Sequence, residues 1–396
     1  METRYAGLNL PVRTLLGPGP SNVHPRVLRA MTAPVIGHLD PRFLALMDET
    51  MELLRFVFQT TNTITFALPG TGSAGMEAAL VNLIEPGDGV IVGVNGYFGE
   101  RLCEMASRHG AEVKRVEAAW GQIIDPDQIE RALAGRRAKL VAIVHAETST
   151  GVLQPIRPIA EACQRHGALL VVDAVTSLGG SPVAPDEWGA DVCFSCTQKG
   201  LSCPPGLAPI TVNDRAVAVA GARRSSVQSW YLDLSLITRY WGKDRLYHHT
   251  APISMLYALR EALCLVHEEG LEPRWHRHKT LSDALVAGLL ALGLQILAPE
   301  AYRAPTLTVV RIPERIPDIE VRKALLSEHS LEIGGGLGAL KGKVWRVGLM
   351  GESCNQANVL LVLSALESAL VRHGWRCEKG AGILAAIKAL ASPIVS

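Results

Sequence analysis

Between residues 63 and 212 the chain alternates between short continuous apolar runs and stretches whose apolar positions fall three or four apart. The runs at 63–68, 89–94, 113–116, 140–145, 168–173, 192–195 and 207–212 predict strands. Helical spacing predicts helices at 43–59, 74–84, 99–109, 127–134 and 156–166. Continuous apolar runs need burial on both faces, and alternation with helices supplies it, so the pattern predicts an α/β fold. The expected large domain has a mostly parallel seven-stranded sheet covered by helices.

Past residue 251 the pattern changes. A long amphipathic helix at 252–269 reads as a bridge, and helices at 279–292, 319–328 and 356–373 then surround strands at 307–312 and 343–348. This predicts a smaller α+β C-terminal domain. The division expected is an N-terminal arm at 1–12, a large domain at 13–270 and a small domain at 271–396. The tail after Gly374 is weakly amphipathic and suggests no function.

Length agrees with two domains, since 396 residues exceed what one core comfortably serves. The formal net charge of +1, with no dense Lys/Arg run, argues against nucleic acid as a partner. No apolar signal opens the sequence, and the most apolar later stretch, 281–297, is interrupted by Asp283, so no membrane span is expected. Eight cysteines without a framework suggest free thiols in a reducing compartment, and the cytoplasm is the expectation. Cys193, Cys196 and Cys203 lack the second pair or the histidines that would complete a zinc site, so no metal is expected.

The candidate chemistry begins at Lys199 in Asp191–Gly206, DVCFSCTQKGLSCPPG. A lysine at the end of a buried strand is desolvated, which favours the neutral, nucleophilic amine of a Schiff-base lysine; taken alone it also reads as a surface loop residue. Gly70-Thr71-Gly72-Ser73-Ala74-Gly75 fits GxGxxG between a strand and a helix, yet Val94-Asn95-Gly96 offers no carboxylate for a dinucleotide ribose. What remains is an anion site at a helix N-terminus, or a plain glycine-rich turn. Asp173 closes an apolar strand, where it either meets a positive partner or caps the next turn. Arg346 lies inside an apolar strand and calls for an anion, a carboxylate ligand or a structural ion pair. Pyridoxal phosphate requires a lysine, an acid for its ring nitrogen and a phosphate pocket, and all three are present in order at strand ends.

These residues carry a resemblance to class V, fold-type I pyridoxal-phosphate enzymes, most similar to the alanine–glyoxylate and serine–glyoxylate aminotransferases. It runs from Leu15-Leu16-Gly17-Pro18-Gly19-Pro20-Ser21-Asn22 through Glu77–Asn82, Glu85–Asp88, His145–Pro155, Asp173, Ser177–Gly180, Gln198-Lys199, Tyr247–Thr250 and Gly335–Gly338 to about Gly351. The resemblance implies pyridoxal 5'-phosphate bound covalently to Lys199, with Asp173 on its ring nitrogen and Thr148 on its ring hydroxyl. It implies a phosphate held by Thr71, Gly72, Ser73 and Gln198, joined by Tyr247 and Thr250 from the partner subunit of a homodimer with shared active sites. Phe98 takes the place of the ring-stacking aromatic, Arg346 grips the substrate carboxylate, and Gly17 joins the substrate site. The animal members carry Trp where Phe98 stands and His where Ser73 stands, and the ending Pro393-Ile394-Val395-Ser396 differs from a peroxisomal import signal. The implied activity is transfer of an amino group from alanine or serine to glyoxylate. Ureidoglycine or hydroxykynurenine as donor is an alternative, and a lyase or desulfurase using Cys354 a more distant one.

Overall fold

In the computed structural model, which describes residues 7–135 and 137–391, the apolar runs pair into one seven-stranded sheet. Its order is Ile64–Pro69, Leu207–Val212, Val192–Phe194, Leu169–Asp173, Leu140–Val144, Gly89–Val94 and Glu112–Glu117. Only Leu207–Val212 runs against its neighbours. Every residue of Leu140–Val144 and Leu169–Asp173 is buried, which explains why these strands read as unbroken apolar runs. At the sheet edge Glu112, Arg115 and Glu117 are exposed, and a charged edge resists pairing with another chain.

Helices cover this sheet. Pro41–Phe58 begins where Asp40 accepts the Arg42 amide at 2.8 Å, with proline in the first turn where its missing N–H costs nothing. Gly72–Val81 and Tyr97–Arg108 each start just past a strand end. The register sets Val144 opposite Asp173 and Asp173 opposite Phe194, so the loops that follow these strands leave the sheet side by side.

A second core lies in the C-terminal part, where Leu307–Arg311, Val344–Gly348 and Gly334–Gly335 form an antiparallel sheet. Trp345 is fully buried there and donates its ring N–H to Asp318 at 2.9 Å. Leu16 is buried in this second core too, because Thr14–Leu15 pairs in parallel with Leu331–Glu332. The expected helix at 279–292 is longer, Leu271–Ala291, and follows Ile253–Glu269 across Gly270, whose φ of 82° makes the corner. Its first turns escaped the periodicity because Arg274 and His278 face inward and are satisfied by hydrogen bonds rather than by apolar packing.

The tail forms a helix, Ala381–Ala391, that docks on Leu271–Ala291 through a close glycine contact: a Cβ on Gly288 would stand 2.8 Å from the Gly382 carbonyl oxygen. Four short helices, Pro25–Met31, Pro185–Trp188, Asp214–Gly221 and Leu234–Trp241, had no counterpart in the sequence expectations. Of the expected arm, residues 7–12 are exposed and without regular structure, while residues 1–6 and the Pro393–Ser396 ending lie outside the described residues. Among the described residues no helix is long and apolar enough to cross a membrane.

Candidate active site

The chain leaves Val192–Phe194 and turns through Lys199, which is held from three directions. Its Nζ donates to the Pro18 carbonyl, and Ser21 Oγ donates to the Lys199 carbonyl at 2.8 Å. The following Gly200 is pressed so closely to the backbone that a Cβ would stand 2.2 Å from the Leu178 carbonyl oxygen. Arg274 spans this contact, donating to Gly179 O at 2.7 Å and to Gly200 O at 2.6 Å. Lys199 is only 8% exposed and no carboxylate forms an ion pair with it among the described residues. Burial therefore pulls its pKa down, toward the neutral amine.

Asp173 stands at the end of the neighbouring strand, buried, accepting the Val175 amide at 2.8 Å. Burial pushes its pKa up to about 7, with the Glu147 charge adding to the rise while Lys199 and Arg101 oppose it. Thr148, after Leu140–Val144, places its Oγ1 2.8 Å from Thr176 Oγ1. Beside them the Gly72–Val81 helix starts, and its N-cap, Thr71, spends no side-chain hydrogen bond on the cap. A Cβ at Gly72 would stand 3.1 Å from both Cys196 and Val175, so glycine lets the helix start sit on the strand ends. Unspent N–H groups at a helix start attract an anion. Gln198 Oε1 is buried there with no hydrogen-bond partner among the described residues.

One cavity of about 330 Å³ joins these groups: Lys199, Asp173, Thr148 and Arg346 line it. Thr71, Gly72, Ser73, Gln198 and Phe98 also belong to its wall. Arg346 comes from the middle of Val344–Gly348, buried, with Nε donating to Gly335 O at 2.7 Å and one terminal nitrogen 3.5 Å from Thr148 O. It forms no ion pair among the described residues, and burial lowers its pKa to about 10, still well above neutrality. The cavity thus offers a cationic fork, a desolvated amine and a buried acid within one enclosure, a set suited to an anionic amino or keto acid and a carbonyl cofactor.

Three expected positions fall outside the cavity wall. Tyr247 is 62% exposed with its ring 5.3 Å from that of His38, and Thr250 is exposed. Gly17 lies just before Pro18, packed against the Gly334 backbone. Two residues that the sequence did not single out belong to the site. Arg101 lines the cavity and donates to Ser73 Oγ at 3.2 Å; its position one turn after Phe98 on the same helix was the available signal. Glu147 is buried and accepts from the amides of Phe98 at 3.1 Å, Gly99 at 3.3 Å and Ser149 at 3.0 Å, tying the start of Tyr97–Arg108 to the loop of Thr148. No group of His, Cys, Asp and Glu suited to a metal ion occurs among the described residues.

Cys354 is not among the residues that line this cavity. It is buried, its carbonyl is held by Arg277, and burial pushes its thiol up to about 12.

Comparison with known proteins agrees with this geometry. Residues 15–338 match the class-V aminotransferases. The chain is 45% identical over 395 residues to the (S)-ureidoglycine–glyoxylate transaminase of Bacillus subtilis, covering 95% of each chain. It is 41% identical over 368 residues to the alanine–glyoxylate aminotransferase of Drosophila melanogaster, covering 92% of this chain and 93% of the other. The crystal structure of an alanine–glyoxylate aminotransferase from Nostoc sp. superposes with a TM-score of 0.92 at 50% identity, over 93% of this chain and 98% of that one. A desolvated lysine, a buried acid and an uncapped helix start on one cavity, in a chain this similar to known transaminases, have one reading: it belongs to the class-V aminotransferases, enzymes of fold-type I that depend on pyridoxal 5'-phosphate.

Proposed function

We propose that the enzyme transfers the amino group of alanine, or of serine, to glyoxylate, giving pyruvate or hydroxypyruvate and glycine. The observation that carries this reading is the unpaired, buried Arg346 in the same cavity as Lys199 and Asp173. Donor and acceptor each bear one α-carboxylate, and a single planar fork serves both in turn. The relatives named for glyoxylate support the acceptor.

Pyridoxal phosphate supplies the carbonyl that takes the amino group and the ring that takes up the electrons of the broken Cα–H bond. The residues present fit it: the uncapped helix start with Thr71, Gly72 and Ser73, and the Gln198 side-chain NH2 on the cavity wall, would suit its phosphate. Asp173, Thr148 and Phe98 line the same cavity and would serve its ring nitrogen, its ring hydroxyl and the face of its ring respectively. Lys199 would hold it through its amine and, once the substrate's amino group has displaced that amine, would carry the Cα proton away and back as a neutral base. Arg346 fixes the direction of the Cα–H bond by gripping the carboxylate at two points. Pro18 lines the cavity, and Gly17, just behind it, would set its position. The two half-reactions share this one site, so the kinetics are ping-pong.

The active form is a homodimer in which Tyr247 and Thr250 reach the partner's phosphate site. The exposure of Tyr247, together with Trp230 at 63% and Tyr231 at 44% exposed nearby, supports this. The functional division is a large cofactor domain ending near residue 270 and a small C-terminal domain carrying Arg346. Eight free thiols fit a cytoplasmic enzyme. The Bacillus subtilis relative supports a second donor, (S)-ureidoglycine. A panel of alanine, serine, (S)-ureidoglycine and hydroxykynurenine against glyoxylate, read as glycine formed, tests the proposal. Alanine or serine giving the largest kcat/KM is the expected result. Glycine formed from (S)-ureidoglycine alone would replace the donor, and none from any donor would remove glyoxylate as acceptor.

A further inference from the structure

Arg101 is a cation on the cavity wall to which the transamination reading gives no task. It projects from the first turns of Tyr97–Arg108, where the positive end of the helix disfavours a cation. Its guanidinium carbon lies 4.7 Å from the Phe98 ring centroid and 5.4 Å from that of Tyr97, and its NH1 donates to Ser73 Oγ at 3.2 Å. No carboxylate forms an ion pair with it among the described residues. A partly buried guanidinium in such a place needs an anion.

The cradle beside it supplies hydrogen bonds without charge: the Thr71 hydroxyl, the amides of the helix start and the Gln198 side chain. The other cavity cations are held elsewhere, Lys199 by the Pro18 carbonyl and Arg346 by Gly335 and Thr148. A phosphate monoester carries about two negative charges at neutral pH, which neutral donors and a helix start only partly offset. We propose that Arg101 binds the cofactor's phosphate and supplies the charge this cradle lacks, with Phe98 and Ser73 aiming the guanidinium. The proposal rests on the pyridoxal phosphate assignment.

The test compares pyridoxal 5'-phosphate with pyridoxal, which lacks the phosphate, as ligands of the cofactor-stripped enzyme. Arg101→Gln is expected to weaken pyridoxal 5'-phosphate by about 10- to 100-fold while leaving pyridoxal within about threefold, the scale of one charge-assisted contact. Arg101→Lys, which keeps the charge, is expected to restore most of the loss. If the Gln variant does not fold, Arg101→Met keeps an unbranched stem over Phe98 and is expected to show the same selective loss. Equal weakening of both ligands would mean that Arg101 only holds Phe98 in place, and no weakening of either would mean that it faces solvent; both overturn the proposal. A parent enzyme that takes up neither ligand would remove the cofactor assignment along with it.

Discussion

Asp173 and Lys199 are tuned by the removal of water more than by strong partners, and this has a measurable consequence in the cofactor-free enzyme. A buried acid whose pKa rises from 3.8 to about 7 on folding binds its proton more tightly in the folded state. Asp173 therefore costs nothing below about pH 4, and its penalty grows as pH rises toward 7, reaching about 4 kcal/mol when it is fully ionised. Asp173→Asn removes that penalty. In urea melts of the stripped proteins, the variant should gain stability over the parent between pH 5 and pH 8; a constant difference would mean that Asp173 is ionised throughout. Arg346 sits in a different position, charged and already hydrogen-bonded to two carbonyls. Arg346→Ala should lower kcat/KM for donor and for glyoxylate together by about 10²–10³-fold, with the bound-cofactor absorbance retained. A change confined to one substrate would assign the shared carboxylate contact to another residue.

Precision at the site comes from how closely its elements touch. The loop that carries Lys199 lies against Leu178 and Gly179 with no room for a methyl group at Gly200, and Arg274 clamps both sides of the contact. Gly200→Ala must displace backbone, and a shift of about 1 Å in a reacting group can cost about 100-fold in kcat. Gly221→Ala is the control, since a Cβ there meets nothing within 4 Å; it should leave turnover unchanged, and equal rates for the two variants would show that the clamp is not required. The strand ends bearing Asp173 and preceding Lys199 were legible in the sequence because buried parallel strands are apolar without interruption. Arg274 and His278 were not, because backbone groups satisfy most of their polar atoms: Arg274 reaches Gly179 O and Gly200 O besides pairing with Glu269, and His278 Nδ1 donates to Arg274 O at 2.8 Å while its Nε2 accepts from Gly351 N at 3.0 Å. A polar helix turn satisfied from inside resembles an exposed one when only spacing is read. Glu147 was hidden for a similar reason, since a carboxylate held by amides leaves no charge pattern.

At the scale of the whole molecule the two cores divide the work. The sheet of the first brings Asp173, Thr148 and Lys199 to its carboxyl edge, where open α/β sheets bind ligands. The second presents Arg346 from an antiparallel strand whose neighbour, Gly334–Gly335, approaches Pro18. Because Leu16 belongs to the second core and Pro18 receives the Lys199 amine, the segment between them ties the core that carries Arg346 to Lys199. Such a site holds one substrate at a time. The direct measurement is therefore of a half-reaction: the enzyme carrying pyridoxal phosphate is mixed with alanine in the absence of glyoxylate, desalted, and then given glyoxylate alone. One equivalent of pyruvate per active site is expected in the first step and one of glycine in the second. Pyruvate that forms only while glyoxylate is present would contradict this expectation.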